Sequence, residues 1–413
     1  MTKYDLSSVR MLTFIGISIG VLALLISISR VDVLWIVMSI IYLAIVYGVM
    51  KTDLRSAFIE KLIVFMLFPL LSGSIGVSGT LADHILGIDL AFALIAPLIG
   101  FVILFNLNDH SSFNVNRTFT VSFVILFSMG AGAALMIIGY LSDQYLYTNF
   151  ILGNDEMMIE LLAITIFGFV VGLSFKRYLK NNYDVALTGL NSDPIIDSKQ
   201  LLEDLISTFQ SGLKIENQRW MLISSKILQL SIVILGLYAA VTFQSKEAVT
   251  AVLSLVLISM MYLFGRKTET EIPYILNLWI SIALFLHALG GPTGIYDMFA
   301  WWDNLTHLFS GSAVAILTLY FLIYTERIFR KLYMPTWLLF VFVILFMLSL
   351  GVAWELFEFF GDQLLGTMMQ ESLHDTVYDM IYNVIGSFIS CLVAYLFFPF
   401  EDVKSSLSSR YHP

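Results

Sequence analysis

Charged residues make up only 13% of the 413 positions, and there is one cysteine and only eight prolines. A water-soluble chain of this length would carry about 25% charged residues, so the shortage excludes an ordinary soluble enzyme. Cys391, alone in an apolar run, excludes a disulfide framework and a cysteine-based zinc site. The net charge is −9 and no basic tract is present, so nothing could track a phosphate backbone, and nucleic acid is excluded as a partner. Walker A, Gly-rich dinucleotide, HExxH, GxSxG and kinase motifs are all missing. What remains is apolar: 58% hydrophobic residues, 33 Phe, 19 Tyr and 7 Trp, with a mean hydropathy of +0.86. The composition is that of a polytopic membrane protein whose first partner is the lipid bilayer.

Runs of about 17–25 apolar residues cross the hydrocarbon core as helices. Twelve are expected, near 11–29, 32–50, 62–80, 87–106, 118–141, 157–175, 221–243, 248–265, 273–290, 304–324, 336–360 and 379–399. The first run is long and lacks a small-residue cleavage pattern, so it reads as a span, not a signal peptide. Cytoplasmic loops retain Lys and Arg. With the N-terminus inside, 20 of the 22 basic residues fall on the cytoplasmic side, leaving Arg30 and Lys246 outside. The expectation is a multi-pass plasma-membrane protein with both termini cytoplasmic.

The two halves of the chain align on each other. At an offset of 219, Asp143 and Gln144 fall on Asp362 and Gln363, Glu156 on Asp375 and Glu160 on Asp379. The expected organisation is two parallel six-helix repeats, 1–175 and 221–400, joined by a cytoplasmic linker at 176–220, with a cytoplasmic tail at 401–413. Leu201, Leu202, Leu205, Ile206, Phe209 and Leu213 recur at helical spacing in the linker, which predicts an amphipathic helix. The polar positions are unequally shared: Glu355, Glu358 and Asn383 stand opposite Met136, Gly139 and Ile164. The first repeat is a degenerate scaffold and the second keeps the chemistry.

That chemistry lies on three stripes at the expected extracytoplasmic ends of the last three spans. Asp303 and His307 are four residues apart. Glu355, Glu358 and Asp362 are spaced by three and four, and Asp375, Asp379 and Asn383 by four and four. Each set falls on one helix face. Gly311, Gly351 and Gly386 continue the stripes by about one turn, which predicts close backbone approach beneath the polar layer. Carboxylates inside a span are costly and face a cavity or a partner. Six acids with no Lys or Arg in the two adjoining outer loops need protons, water or a cation for balance. Oxygen ligands with an imidazole suit a divalent Mg, Mn, Fe or Zn. Glu355 and Asp362 are roughly 10 Å apart along a helix, too far for one ion to hold every group. The expected metal ligands are His307, Glu355, Asp375 and Asp379, with Glu358 or Asp303 as general base and Asp362, His374 and Asn383 in support. His287 reads as a hydrogen-bonding residue and Trp301 and Trp302 as interface anchors.

WDNLTHLFSG (302–311), AWELFEFFGDQ (353–363) and HDTVYDMIYNVIGS (374–387) together resemble the VanZ-like superfamily and the related YjdF-type inner-membrane proteins. The resemblance covers about 285–390 and falls on Asp303, His307, Glu355, Glu358, Asp375, Asp379, Asn383 and Gly386. It implies a compact helical membrane domain with a polar outer pocket and a role in the cell envelope. The VanZ-like pattern has Gln where Glu358 stands and an Arg shortly before the first Asp, so this chain is the more acidic. Three functions follow as expectations. The first is a metal-dependent enzyme acting on a lipid or lipid-linked envelope precursor. The second is a proton- or ion-coupled transporter, and the third a non-catalytic scaffold.

Overall fold

In lipid a backbone must satisfy its own N–H and C=O groups, so a run of apolar residues long enough to cross has only the helix open to it. The computed structural model describes residues 6–51, 57–75, 90–110, 117–147, 150–151, 153–182, 219–268, 273–328, 336–367, 369–370 and 372–397, and contains no strand among them. Twelve long helices are present there: α1 (Leu6–Ser29), α2 (Val33–Lys51), α3 (Ala57–Ile75), α4 (Leu90–His110), α5 (Arg117–Leu146), α6 (Asn154–Asn182), α7 (Arg219–Val241), α8 (Ser245–Thr268), α9 (Tyr274–Gly290), α11 (Trp301–Ile328), α12 (Thr336–Leu365) and α13 (Leu373–Phe397). A single-turn helix, α10 (Ile295–Met298), lies between α9 and α11. The long helices fall one for one on the twelve expected spans. Six, α5 to α8 with α12 and α13, are long and apolar enough to cross a membrane, and five others are shorter apolar helices. The linker helix expected at 201–213 lies outside the described residues.

The chain forms two units, Met1–Asn191 and Ser192–Pro413. In the first, α1 packs on α2 and α3, α3 on α4, α4 on α5 and α6, and α5 on α6. In the second, α7 packs on α8 and α9, α9 on α11, α11 on α12 and α13, and α12 on α13. With α10 set aside, these pairs correspond in order, but α2 also packs on α4 where, among the described residues, α8 and α11 form no comparable pair, and the closest pair is α5 with α6 in the first unit and α11 with α13 in the second.

The corners match as well. Helix α1 ends in a Schellman motif, with Val31 N–H donating to Ile28 O and Asp32 N–H to Ser27 O, and Val31 left-handed at φ 57°. Helix α7 ends the same way: Phe243 N–H donates to Ala240 O, Gln244 N–H to Ala239 O, and Phe243 has φ 59°. The two sets are offset by 212 residues. Beyond α5, Tyr147 is left-handed at φ 56°, and Asp143 accepts from the Phe150 and Ile151 N–H groups at 2.7 and 2.8 Å. Beyond α12, Gly366 has φ 66°, and Asp362 accepts from the Met369 and Gln370 N–H groups at 2.6 and 2.9 Å. Each of these positions is offset by 219.

The interiors differ. Among the described residues the buried polar groups of the first unit are Ser27, Ser39, Ser74 and Ser128, around a large apolar core that includes Tyr42, Met66, Leu70, Phe92 and Phe101. The second unit buries Asn277, His307, Glu355, Asp379 and Asn383, besides serines and threonines. Its closest helix pair is α11 and α13. A Cβ on Gly311 would overlap the Asn383 backbone, and one on Gly386 would overlap Leu308 O, so the two helices touch main chain to main chain. Ser387 Oγ donates to Gly311 O at 3.2 Å and Ser390 Oγ to Ser312 O at 3.2 Å across the same seam. Gly351 does not share this role. A Cβ there meets Met380 Cγ at 3.7 Å, an ordinary contact, so the close approach expected of α12 at that residue is absent.

Gly311→Ala and Gly386→Ala should therefore each cost about 1–3 kcal/mol by overpacking. Gly351→Ala should be neutral or slightly stabilising, because alanine is the better helix former by about 1 kcal/mol. Thermal unfolding of the purified variants in detergent checks the ranking.

A candidate polar site in the second unit

The glycine seam sets the site. Gly311 is one helical turn beyond His307, and Gly386 is one turn beyond Asn383. Main-chain contact at the glycines therefore brings the two polar side chains face to face. Asn383 Nδ2 lies 3.3 Å from His307 Nδ1. The opposite ring nitrogen, Nε2, points between two carboxylates, 3.4 Å from Asp379 Oδ2 and 3.7 Å from Asp303 Oδ1. One ligand atom from each of Asp303, His307 and Asp379 lies within 4.8 Å of the others. His307, Asp379 and Asn383 are 6%, 5% and 6% exposed, and Asp303 is half-buried.

Two oxygens in this arrangement, Asp379 Oδ1 and Asn383 Oδ1, are buried without a hydrogen-bond partner. A buried acceptor left unpaired costs about 1–3 kcal/mol, so each is a place where a donor or a cation gains. The Asn383 amide matters doubly. With its nitrogen on Nδ1, the neutral imidazole carries its proton on Nε2. Turning the amide over puts Oδ1 on an Nδ1–H and leaves the Nε2 lone pair open toward the carboxylates, the arrangement a metal-binding histidine needs.

Around this centre the other predicted residues divide. Glu355, 1% exposed, receives Gln370 Nε2 at 3.0 Å on Oε2 and at 3.2 Å on its own carbonyl oxygen. Glu358 is half-buried one turn further along α12. The charges of Asp303 and Asp375 act on Glu355, Glu358 and Asp379, and Lys246 offsets them at Glu358. The first and third stripes thus share one ligand cluster, and Glu355 and Glu358 of the second lie outside it. Asp362 stands apart from the group and works on the loop after α12, accepting from Thr367 Oγ1 at 2.6 Å besides the two amides. His374 is exposed and stacks on Tyr378, with ring centroids 4.1 Å apart.

His287 holds both ring nitrogens in hydrogen bonds, to Ser310 Oγ at 3.0 Å and the Tyr296 hydroxyl at 3.3 Å, and sets its edge against the His307 ring. It is a hydrogen-bonding residue, with no nitrogen free for an ion. Trp302 donates from Nε1 to Leu286 O at 3.3 Å, and Trp301 is exposed.

Sequence reasoning missed Tyr296 and Gln370. Tyr296 sits on α10 with its ring against Gly290, and burial, followed by the Asp303 carboxylate, holds its phenol above the usual range and keeps it a donor. No periodicity marks a residue on a single-turn helix. Gln370 lies on a loop, and only the matching Asp143 corner points to it.

The stretch that carries this site has known relatives. Residues 224–399 match the family of predicted membrane proteins DUF2238. The match runs from within α7 to the end of α13, the helices of the second unit. An uncharacterized protein of Thermotoga maritima is 27% identical over 136 residues, which is 32% of this chain and 69% of the relative. No solved structure matches. These similarities support the membrane class. They name neither a reaction nor a VanZ-like protein.

Asn383→Leu should destabilise the chelator-treated protein by about 1–3 kcal/mol, because it strips His307 of a buried partner. His307→Leu should cost less when added to Asn383→Leu than on its own, because the contact between the two is already gone, while it also strips Asp379 Oδ2 of its imidazole partner. Thermal unfolding of the single and double variants measures both.

Proposed function

We propose that the second unit binds a divalent cation, Mg, Mn, Fe or Zn, through Asp303, His307 and Asp379, and that the protein is a metal-dependent membrane enzyme. The observation that carries this reading is the convergence of two carboxylates and an imidazole nitrogen on one buried point beside two unpartnered oxygens. Carboxylate and imidazole donors fit such an ion, and Asn383 fits the supporting role beside the histidine. A bound cation would also offset several of the interacting negative charges at once.

Four roles change from the sequence expectation. Asp303 belongs with the ligands, because it shares the 4.8 Å cluster with His307 and Asp379. Glu355 takes the role of acid–base group, because it is buried beside the cluster and held by Gln370. Glu358 gives up the role of general base and Asp375 that of ligand, and both become flanking charges. When bound, the metal would supply Lewis acidity toward an acyl or phosphoryl oxygen. The substrate class that fits a polar pocket at the membrane face is a lipid or lipid-linked envelope precursor, with the site on the extracytoplasmic side as the basic residues predict. The VanZ-like residue pattern supports the polar outer pocket and names no substrate.

The two units are repeats of one six-helix module, and the first has lost the site. Support comes from the corresponding helix pairs and from corner hydrogen bonds that recur at an offset of 212 after α1 and 219 after α5. Elemental analysis by mass spectrometry of the purified protein tests the cation, after reloading with each of the four metals. A near-stoichiometric metal that is lost in both His307→Ala and Asp379→Ala is the expected result. No metal in the parent protein, or full retention in both variants, overturns it.

A further inference from the structure

The loop after α12 does more than join two helices. Asp362 gathers it by accepting from the Met369 and Gln370 N–H groups and from Thr367 Oγ1, and Lys246 Nζ from α8 donates to Met369 O at 3.4 Å. This clamp places the Gln370 side chain over Glu355. There its amide nitrogen bridges the carboxylate oxygen and the main-chain oxygen of the same residue. Two acceptors on one residue joined by one donor fix the side-chain rotamer, not only the distance.

The first unit holds the same clamp without the pair. Asp143 accepts from N–H groups seven and eight residues further on, as Asp362 does. At the offset of 219, Ile151 stands for Gln370 and Met136 for Glu355. Donor and acceptor are thus both polar in one unit and both apolar in the other, while the carboxylate that shapes the loop is kept in each. The clamp belongs to the architecture; the side chain it delivers belongs to the site.

We infer that Gln370 and Asp362 are positioning residues for Glu355, with Gln370 holding the carboxyl group directly and Asp362 acting through the loop. The inference rests on the reading of Glu355 as the acid–base group of the site. Its geometric core, the hold on the Glu355 carboxyl, is independent of any metal.

A membrane-soluble carbodiimide, which couples to accessible carboxyl groups, reads that hold. The full-length protein in nanodiscs, with chelator present throughout, is labelled and the modified residues are quantified by mass spectrometry, with Glu355→Gln identifying the signal. In Gln370→Ile, which copies the first unit, and in Asp362→Asn, Glu355 should label about five-fold faster relative to Glu358, the equivalent of one lost hydrogen bond. Asp143→Asn should lower the unfolding temperature as Asp362→Asn does and leave Glu355 labelling unchanged, which separates positioning from general loosening. Glu355 labelling that is the same in all four proteins, including none in any, overturns the inference, and so does an equal rise in Asp143→Asn. Because chelator is present, a protein that fails the elemental analysis still gives a reading here. Failure of the cation proposal and failure of this one are thereby distinguishable.

Discussion

Main-chain contact between α11 and α13 is the constraint on which the polar centre depends. Helices in a bilayer gain nothing from excluding water from one another, so their association relies on close packing and on hydrogen bonds between helices. Gly311 and Gly386 permit that packing, and Ser387 and Ser390 fasten it by donating to carbonyl oxygens across the seam. One turn away, the same approach leaves His307 no neighbour but polar ones: Asn383 on one ring nitrogen, Asp379 and Asp303 beside the other. A larger residue at either glycine would part the helices and separate the groups together. Packing and chemistry are therefore not independent features of this unit.

Most of the fold was legible in the sequence because apolar length is a strong signal. Twelve runs predicted twelve helices, and the boundaries differ chiefly where polar ends continue a helix beyond its apolar run, as at the start of α13. That the first and third stripes could face each other was legible too, since a spacing of four puts Asp303 with His307, and Asp379 with Asn383, on single faces. Which acid does what was not legible. Asp362 shares a face with Glu355 and Glu358, yet its oxygens are taken by the loop that follows. Helical spacing cannot distinguish a carboxylate aimed across a bundle from one that caps its own corner. Gly351 failed for a related reason: a small residue on the right face permits close approach but does not compel it, and a Cβ there has room. Gln370 and Tyr296 lie on a loop and a single-turn helix, where no periodicity exists to be read.

The matching halves bear on what the acids are for. Buried carboxylates and an imidazole within membrane helices are costly wherever they occur, and a fold can in principle require them for specific packing. The first unit answers that point from within the same chain. It has corresponding packed helix pairs, the same Schellman corner and the same aspartate-gathered loop, and among its described residues the buried polar side chains are Ser27, Ser39, Ser74 and Ser128. Met136 and Ile164 align with Glu355 and Asn383 at the offset of 219 and are themselves buried, so apolar side chains fill those places in a unit where α4 and α6 lack the close approach of α11 and α13. The six-helix arrangement therefore does not need the polar residues. Their presence in the second unit, against the cost of burial and with two oxygens left unpaired, fits the proposed cation site.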